Sequence, residues 1–204
     1  NQITNSMGDS FSMNMFNPFT SAKNAQDSLI NSVRNSGGGG SVLAIGGGNV
    51  GENLVGTQII GLKINVKGEG TISKDNIFFG KELTGLNVHD VELMGGYNSA
   101  TNSNNDIVIG ERHDLSSTSN NVILGIMDTQ TTHNNSGTVV LGHNAKAIYN
   151  GSAALGETSV ASTDLGVKGY DPSIQAESKN TSAVWQSTAA AVSVGDTTDP
   201  TKLI

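Results

Sequence analysis

The chain has 204 residues, room for one or two domains, yet only 4% are aromatic and 14% charged, while glycine takes 26 positions and asparagine 23. So few large side chains exclude a thick globular core. Glycine and asparagine instead supply the positive φ angles of tight turns, which suits a thin core of many short strands. The formal net charge of −7 and the absence of cysteine argue against nucleic acid, heparin or anionic membrane as partners and leave no disulfide framework or thiolate metal site.

No apolar run approaches the roughly 20 residues that span a bilayer, and no signal peptide is visible. Residues 1–36 carry no repeat. They hold Phe11, Phe16 and Phe19 with Met7, Met13 and Met15, and the spacing of Ala22, Ala25, Leu29, Ile30 and Val33 suits a short helix. They read either as a cap over the exposed end of a repeat array or as a leader. Residues 37–41 form a glycine-rich link that runs straight into the first repeat.

Residues 37–166 carry the dominant pattern. A small polar or turn residue leads into two or three aliphatic residues, and a glycine closes the unit. The copies are Ser41-Val42-Leu43-Ala44-Ile45-Gly46, Asn76-Ile77-Phe78-Phe79-Gly80, Asp106-Ile107-Val108-Ile109-Gly110, Asn121-Val122-Ile123-Leu124-Gly125, Thr138-Val139-Val140-Leu141-Gly142 and Ser152-Ala153-Ala154-Leu155-Gly156. Weaker copies end at Gly61 and at Gly95 or Gly96. Taking Gly95, the closing glycines from Gly46 to Gly156 are 15, 19, 15, 15, 15, 17 and 14 residues apart. A fixed short period with one small unit per repeat is the signature of a solenoid. The expected fold is all-β, with coils of about 14–16 residues built from two short strands and two turns.

Strand side chains alternate between faces. The first and third triplet positions are expected to share an inner column: Leu43, Ile45, Ile77, Phe79, Ile107, Ile109, Val122, Leu124, Val139, Leu141 and Leu155, with Val192 and Val194 in a last copy. The middle residues Val108, Ile123 and Val140 then face outward. They are apolar too, and a strand apolar on both faces is buried on both, which argues that another chain covers the outer wall. Gln58 and Glu92 stand where an inward aliphatic is expected, so the register near Gly61 and Gly95 is open. Asn76, Asn105, Asn120 and Asn121 are expected to stack as turn ladders, each amide bonding the next coil.

The two long intervals leave surplus residues, which must bulge outward as loops. The first holds Lys63, Lys67, Glu69, Lys74 and Asp75, and the second holds Asp128, Thr129, Gln130, Thr131, Thr132 and His133. Loops on a rigid scaffold are where recognition resides. Lys63, Lys67, Glu69, Asp128, Thr129, Gln130 and His133 are therefore the ligand-binding candidates, with Tyr97 as an exposed aromatic anchor; Tyr97 and Tyr149 serve equally well as covers for coil ends. Residues 167–204 break the rhythm around Tyr170-Asp171-Pro172, then bring Trp185 and the last copy, Ala191-Val192-Ser193-Val194-Gly195. No closing cap follows, so the chain is expected to continue beyond Ile204.

Catalytic and metal patterns are absent. Gly46-x-Gly48-x-x-Gly51 matches the dinucleotide fingerprint, but Glu52-Asn53-Leu54-Val55-Gly56-Thr57 carries no helical period. The calcium-binding nonapeptide and the hexapeptide period are missing. His89, His113, His133 and His143 lack ligand spacing and read as solvated turn residues, with His89 and His133 in similar surface columns. Glu111 with Asp114, and Asp90 with Glu92, read as solvated acidic turns rather than acid–base pairs. Neither an enzyme activity nor a cofactor nor a metal is expected.

The repeat, with its Asn144-Ala145-Lys146-Ala147 continuation, resembles the YadA-like head of trimeric autotransporter adhesins over about residues 41–196. The segment 184–195, Val-Trp-Gln-Ser-Thr-Ala-Ala-Ala-Val-Ser-Val-Gly, resembles the entry to that family's tryptophan-bearing long neck at Trp185. The resemblance implies a left-handed parallel β-roll, a homotrimer, and display on the Gram-negative outer membrane through a C-terminal anchor absent from this chain. It also implies a virulence-related adhesin that binds a host matrix protein (collagen, fibronectin or laminin) or a host-cell receptor, of the CEACAM type for example. Two other readings stand beside it: a structural spacer that presents residues 1–36 as the binding tip, and a trimeric solenoid of the tailspike kind.

Overall fold

The computed structural model describes residues 1–4, 11–14, 42–196 and 199; the helix expected over 22–33 lies outside them. Among the described residues every regular element is a β-strand, and the architecture is a parallel β-solenoid. One wall stacks Leu43–Gly47, Gln58–Leu62, Ile77–Lys81, Glu92–Gly96, Ile107–Ser116, Val122–His133, Val139–Leu141 and Ala153–Leu155 in chain order, each parallel to the next. A second wall stacks Val50–Glu52, Asn65–Lys67, Thr84–Leu86 and Ser99–Thr101, and runs on into the second half of Ile107–Ser116. Gln2–Thr4 and Phe11–Asn14 join the two walls beside Val50–Glu52 and Leu43–Gly47. The N-terminal segment thus supplies strands to the solenoid ladder.

Each coil turns three corners rather than the expected two. Left-handed residues recur at fixed offsets: Glu82, Asn87 and Asp90 in one coil, Tyr97, Asn102 and Asn105 in the next, Arg112, Ser117 and Asn120 in the one after. Asparagine tolerates this conformation well. The third side is short: Leu54–Val55 pairs with Ser73–Lys74 there, and the stack then continues only through single bridges, Lys74 to His89, His89 to Asn104 and Asn104 to Ser119.

The inner and outer faces are reversed from the sequence expectation. The middle residues point inward: Ala44, Ile59, Phe78, Leu93, Val108, Ile123, Val140 and Ala154 are all buried in one core. The expected inner residues Leu43, Ile45, Ile77, Phe79, Ile107, Ile109, Val122, Leu124, Val139, Leu141 and Leu155 lie on the outer face, half-buried or exposed, and Val192 and Val194 are exposed. The cause is the polar residue that opens each unit. Thr57, Asn76, Asp106, Asn121 and Thr138 are buried, and the Asn76, Asp106 and Asn121 side chains bond the main chain of the next coil. Asn76 Oδ1 accepts from Val91 N at 3.0 Å, Asp106 Oδ1 from Asn121 N at 2.8 Å, and Asn121 Oδ1 from Thr138 N at 2.8 Å. With the polar residue inside, strict alternation puts the next residue outside. Asn105 and Asn120, expected in the same ladder, are exposed corner residues instead.

Register around the weak copies is regular: Gln58 pairs with Ile77, Glu92 with Ile107, and Gly61 and Gly95 align with Gly80 and Gly110. Gln58 and Glu92 are tolerated because their position faces outward. The closing glycines are required because the coils touch there. A Cβ on Gly61, Gly80, Gly95 or Gly110 would run into the carbonyl oxygen of the next glycine in the column.

After Ala161 the chain leaves the stack. Tyr170–Asp171 pairs antiparallel with Ala176–Glu177, and Val192–Ser193 rejoins the first wall beside Ala153 and Ala154. Trp185 sits at the base of this excursion, half-buried, its carbonyl accepting from Gly169 N at 2.7 Å.

Candidate functional site

The two long intervals are accommodated differently. In the first, Glu69, Gly70 and Thr71 are exposed where the chain leaves the second wall, and Glu69 N donates to Asn87 Oδ1 at 2.7 Å. In the second, the surplus is taken up inside one long strand, Val122–His133. The register slips between Ile126, opposite Glu111, and Thr131, opposite His113. The slack forms a bulge over which Arg112 Nη1 donates to Met127 O at 3.2 Å.

This bulge overhangs an open groove of about 460 Å³ lined by Lys63, Glu82, Thr84, Tyr97, Asn98, Ser99, Asp114 and Gln130. Three of the sequence candidates, Lys63, Tyr97 and Gln130, meet here although they come from three different coils. Lys63, Glu82 and Tyr97 share the left-handed corner two residues past the closing glycine, which stacks their side chains along one edge. Lys63 Nζ lies 3.6 Å from Glu82 Oε1, an exposed pair that contributes little to stability. Lys81 Nζ stands 4.7 Å and Arg112 Cζ 5.8 Å from the Tyr97 ring centre, within cation–π range. On the floor, Asp114 accepts from Ser99 Oγ at 2.6 Å and from Thr132 Oγ1 at 3.1 Å. Both of its oxygens are occupied, so the carboxylate is fixed as an acceptor.

The other candidates lie elsewhere. Lys67 faces Glu52 at 3.9 Å on the second wall, and Glu69 sits at the corner beside Asn87. Asp128 and Thr129 are exposed on the bulge. Asp128 accepts from Asn144 Nδ2 at 2.6 Å and pairs with His143 Nε2 at 3.0 Å. Those bonds, the Asn144 amide first, hold its carboxyl below the usual range, and the Asp128 hydrogen bond holds the His143 imidazole above its own.

His133 corrects the sequence reading. It is buried and opposite Leu115 in the second wall's register, so it does not face solvent with His89. His113 is buried as well. Glu82, Ser99 and Asp114 were missed as groove residues. Their signal was their offset of two or four residues from a closing glycine, which places them on one edge. Among the described residues no three histidine or carboxylate groups gather as a metal site, and no helix is long and apolar enough to cross a membrane.

The groove offers an aromatic face, hydrogen-bonded acceptors and cationic side chains, an arrangement suited to holding a polar surface. No family model matches the chain. A 50-residue stretch, 24% of the chain, is 48% identical to the autotransporter adhesin BadA of Bartonella henselae. The match spans 2% of that protein's length.

Proposed function

We infer that this chain is the head region of a trimeric autotransporter adhesin, a left-handed β-roll displayed on a Gram-negative outer surface that attaches to a host matrix protein or host-cell receptor. The observation that carries the reading is the outer face of the first wall. Ile107, Ile109, Val122, Val139 and Leu141 stand exposed there in adjacent parallel strands, with Phe79 two strands before Ile109. Contiguous apolar surface of this kind on a folded chain marks an association site. Strands joined in register give identical chains a matching, repetitive face, which supports three copies packed side by side. The partial match to an autotransporter adhesin agrees with it. Many weak ligand contacts repeated on three chains would then bind by avidity.

The groove around Tyr97 is the proposed ligand surface because it lies around a corner from the apolar wall. The test is adhesion of beads coated with the chain to immobilised collagen, fibronectin and laminin, and to cells bearing CEACAM receptors. Retention on one of these surfaces, reduced at least tenfold by Tyr97→Ala with Gln130→Ala, is expected. Retention unaffected by the pair moves the ligand surface elsewhere, and no retention on any surface contradicts the adhesin reading.

A further inference from the structure

His113 occupies a column position that asparagine fills in two other coils, with Ile64 and Leu83 between them. Asn49 Nδ2 donates to Gly61 O at 3.1 Å, and Asn98 Nδ2 to Gly110 O at 2.9 Å. His113 Nε2 makes the same bond to Gly125 O at 3.0 Å. A carbonyl only accepts, so Nε2 carries the proton and Nδ1 is a bare acceptor. That acceptor lies 3.1 Å from His133 Nε2, with the ring centres 5.3 Å apart. His133 Nε2 must therefore be the donor. Each imidazole is neutral in a tautomer fixed by its neighbour, and a proton on His113 Nδ1 would set two donors face to face.

The same two short segments carry the groove. His113 points inward and Asp114 outward; His133 points inward and Thr132 outward. The inner His113–His133 bond and the outer Thr132–Asp114 bond thus link the same pair of strands back to back. They sit immediately after the register slip.

We propose that the His113–His133 pair is an acid-sensitive clasp, and that proton uptake by it parts the two strands and releases the Asp114–Thr132 floor of the groove. The charged groups acting on His133 are Asp114 on the strand of His113, which favours the proton, and Lys146 of the following coil, which opposes it. The preceding coil presents Asn98, which accepts from His113 N at 3.0 Å, and Ser99; neither titrates. Burial holds His113 below its ordinary range, and burial with the His113 neighbour pushes His133 down to about 4. Both groups are lowered, so the clasp is intact above about pH 6.5, the ordinary histidine value. A proton on His133 enters at its Nδ1 and adds buried charge without removing the bond; the clasp opens when His113 Nδ1 takes a proton, as pH falls from there through the lowered His113 range. That this alters ligand holding rests on the groove being the binding surface; the clasp itself does not.

The test is hydrogen exchange of the full chain, corrected for the intrinsic rate, with the imidazole signals followed by NMR between pH 7.5 and 4. Exchange at 111–115 and 126–133 should rise at least tenfold on acidification while 77–96 stays protected. His133→Gln, which keeps a side-chain donor, should abolish the rise. If that variant fails to fold, His113→Asn, the residue used elsewhere in this column, takes its place. An imidazole pair that titrates near pH 6.5 with unchanged exchange overturns the proposal, as does a variant with the same acid response as the parent. No ligand enters the measurement, so failure of the adhesin reading leaves this signature intact. Failure of the clasp leaves adhesion to be judged by the Tyr97 variants alone.

Discussion

Phe78 and Gly85 face each other across the interior of a single coil: a Cβ built on Gly85 would lie 2.5 Å from Phe78 Cζ and 3.1 Å from Val88 Cγ2. Phe78 is the largest fully buried side chain among the described residues, and it fits because the opposite wall supplies none. Neighbouring coils split the volume differently, with Leu93 opposite Ala100 and Val108 opposite Leu115. Gly85→Ala should therefore destabilise by about 1–3 kcal/mol through overpacking, and Phe78→Leu by about 1 kcal/mol through lost burial. The double variant should be more stable than the sum of the two predicts, a coupling that a thermodynamic cycle in denaturant reads directly.

A closing glycine and a turn glycine should rank by their contacts. Gly110 has φ +152° and a substituent there would strike the Gly125 carbonyl, whereas Gly151 has φ +71° with open space around it. Gly110→Ala should cost more than about 3 kcal/mol, since the backbone of two coils must separate to admit the methyl group. Gly151→Ala should cost about 1 kcal/mol, the left-handed strain alone. Chemical unfolding of both variants checks the order.

Much of this was legible in the sequence, and the parts that were not have two physical causes. The glycine period gave the coil length, and the aligned pairs Gly61–Gly80 and Gly95–Gly110 follow it directly. The parity did not follow, because Asn76 and Asn121 look like surface turn residues to any hydropathy reading. They are inside because a solenoid stacks main-chain donors at regular intervals, and a buried amide that bonds the next coil satisfies them. The same oversight hid His113, which occupies an asparagine position. At the groove, Lys63, Tyr97 and Gln130 were legible as exposed residues. Their meeting was not, since it depends on a bulge inside Val122–His133 that interval lengths alone place in a loop.

Asp106 tests the buried ladder. It accepts from Asn121 N at 2.8 Å and Thr118 Oγ1 at 2.7 Å, yet burial, outweighing these bonds, raises its carboxyl above the ordinary range. A raised carboxyl means that the folded state holds the proton more tightly than the unfolded one, so stability falls as pH rises through the native value. Asn76 in the same column already meets a hydroxyl, Thr57 Oγ1, at 3.4 Å. Asp106→Asn should therefore raise the melting temperature at pH 7 by a few degrees, roughly 1 kcal/mol. The advantage should vanish as the parent carboxyl becomes protonated. A melting series between pH 3 and 7 shows whether it does.

Inner and outer positions of the first wall should respond to different assays. Ile123 is fully buried while Leu141 is half-exposed. Ile123→Ala should cost about 2–5 kcal/mol in any assembly state. Leu141→Glu should leave the fold of a single chain intact and weaken association, read as a loss of mass on dilution by analytical ultracentrifugation.

The central claim is that identical chains cover the outer apolar wall, and molar mass in solution by light scattering, with thermal unfolding at several concentrations, tests it most directly. A mass of three chains with a transition that shifts upward with concentration is the predicted result. A stable monomer whose transition ignores concentration would contradict it, and the exposed Ile107, Ile109 and Leu141 would then need a partner of a different kind.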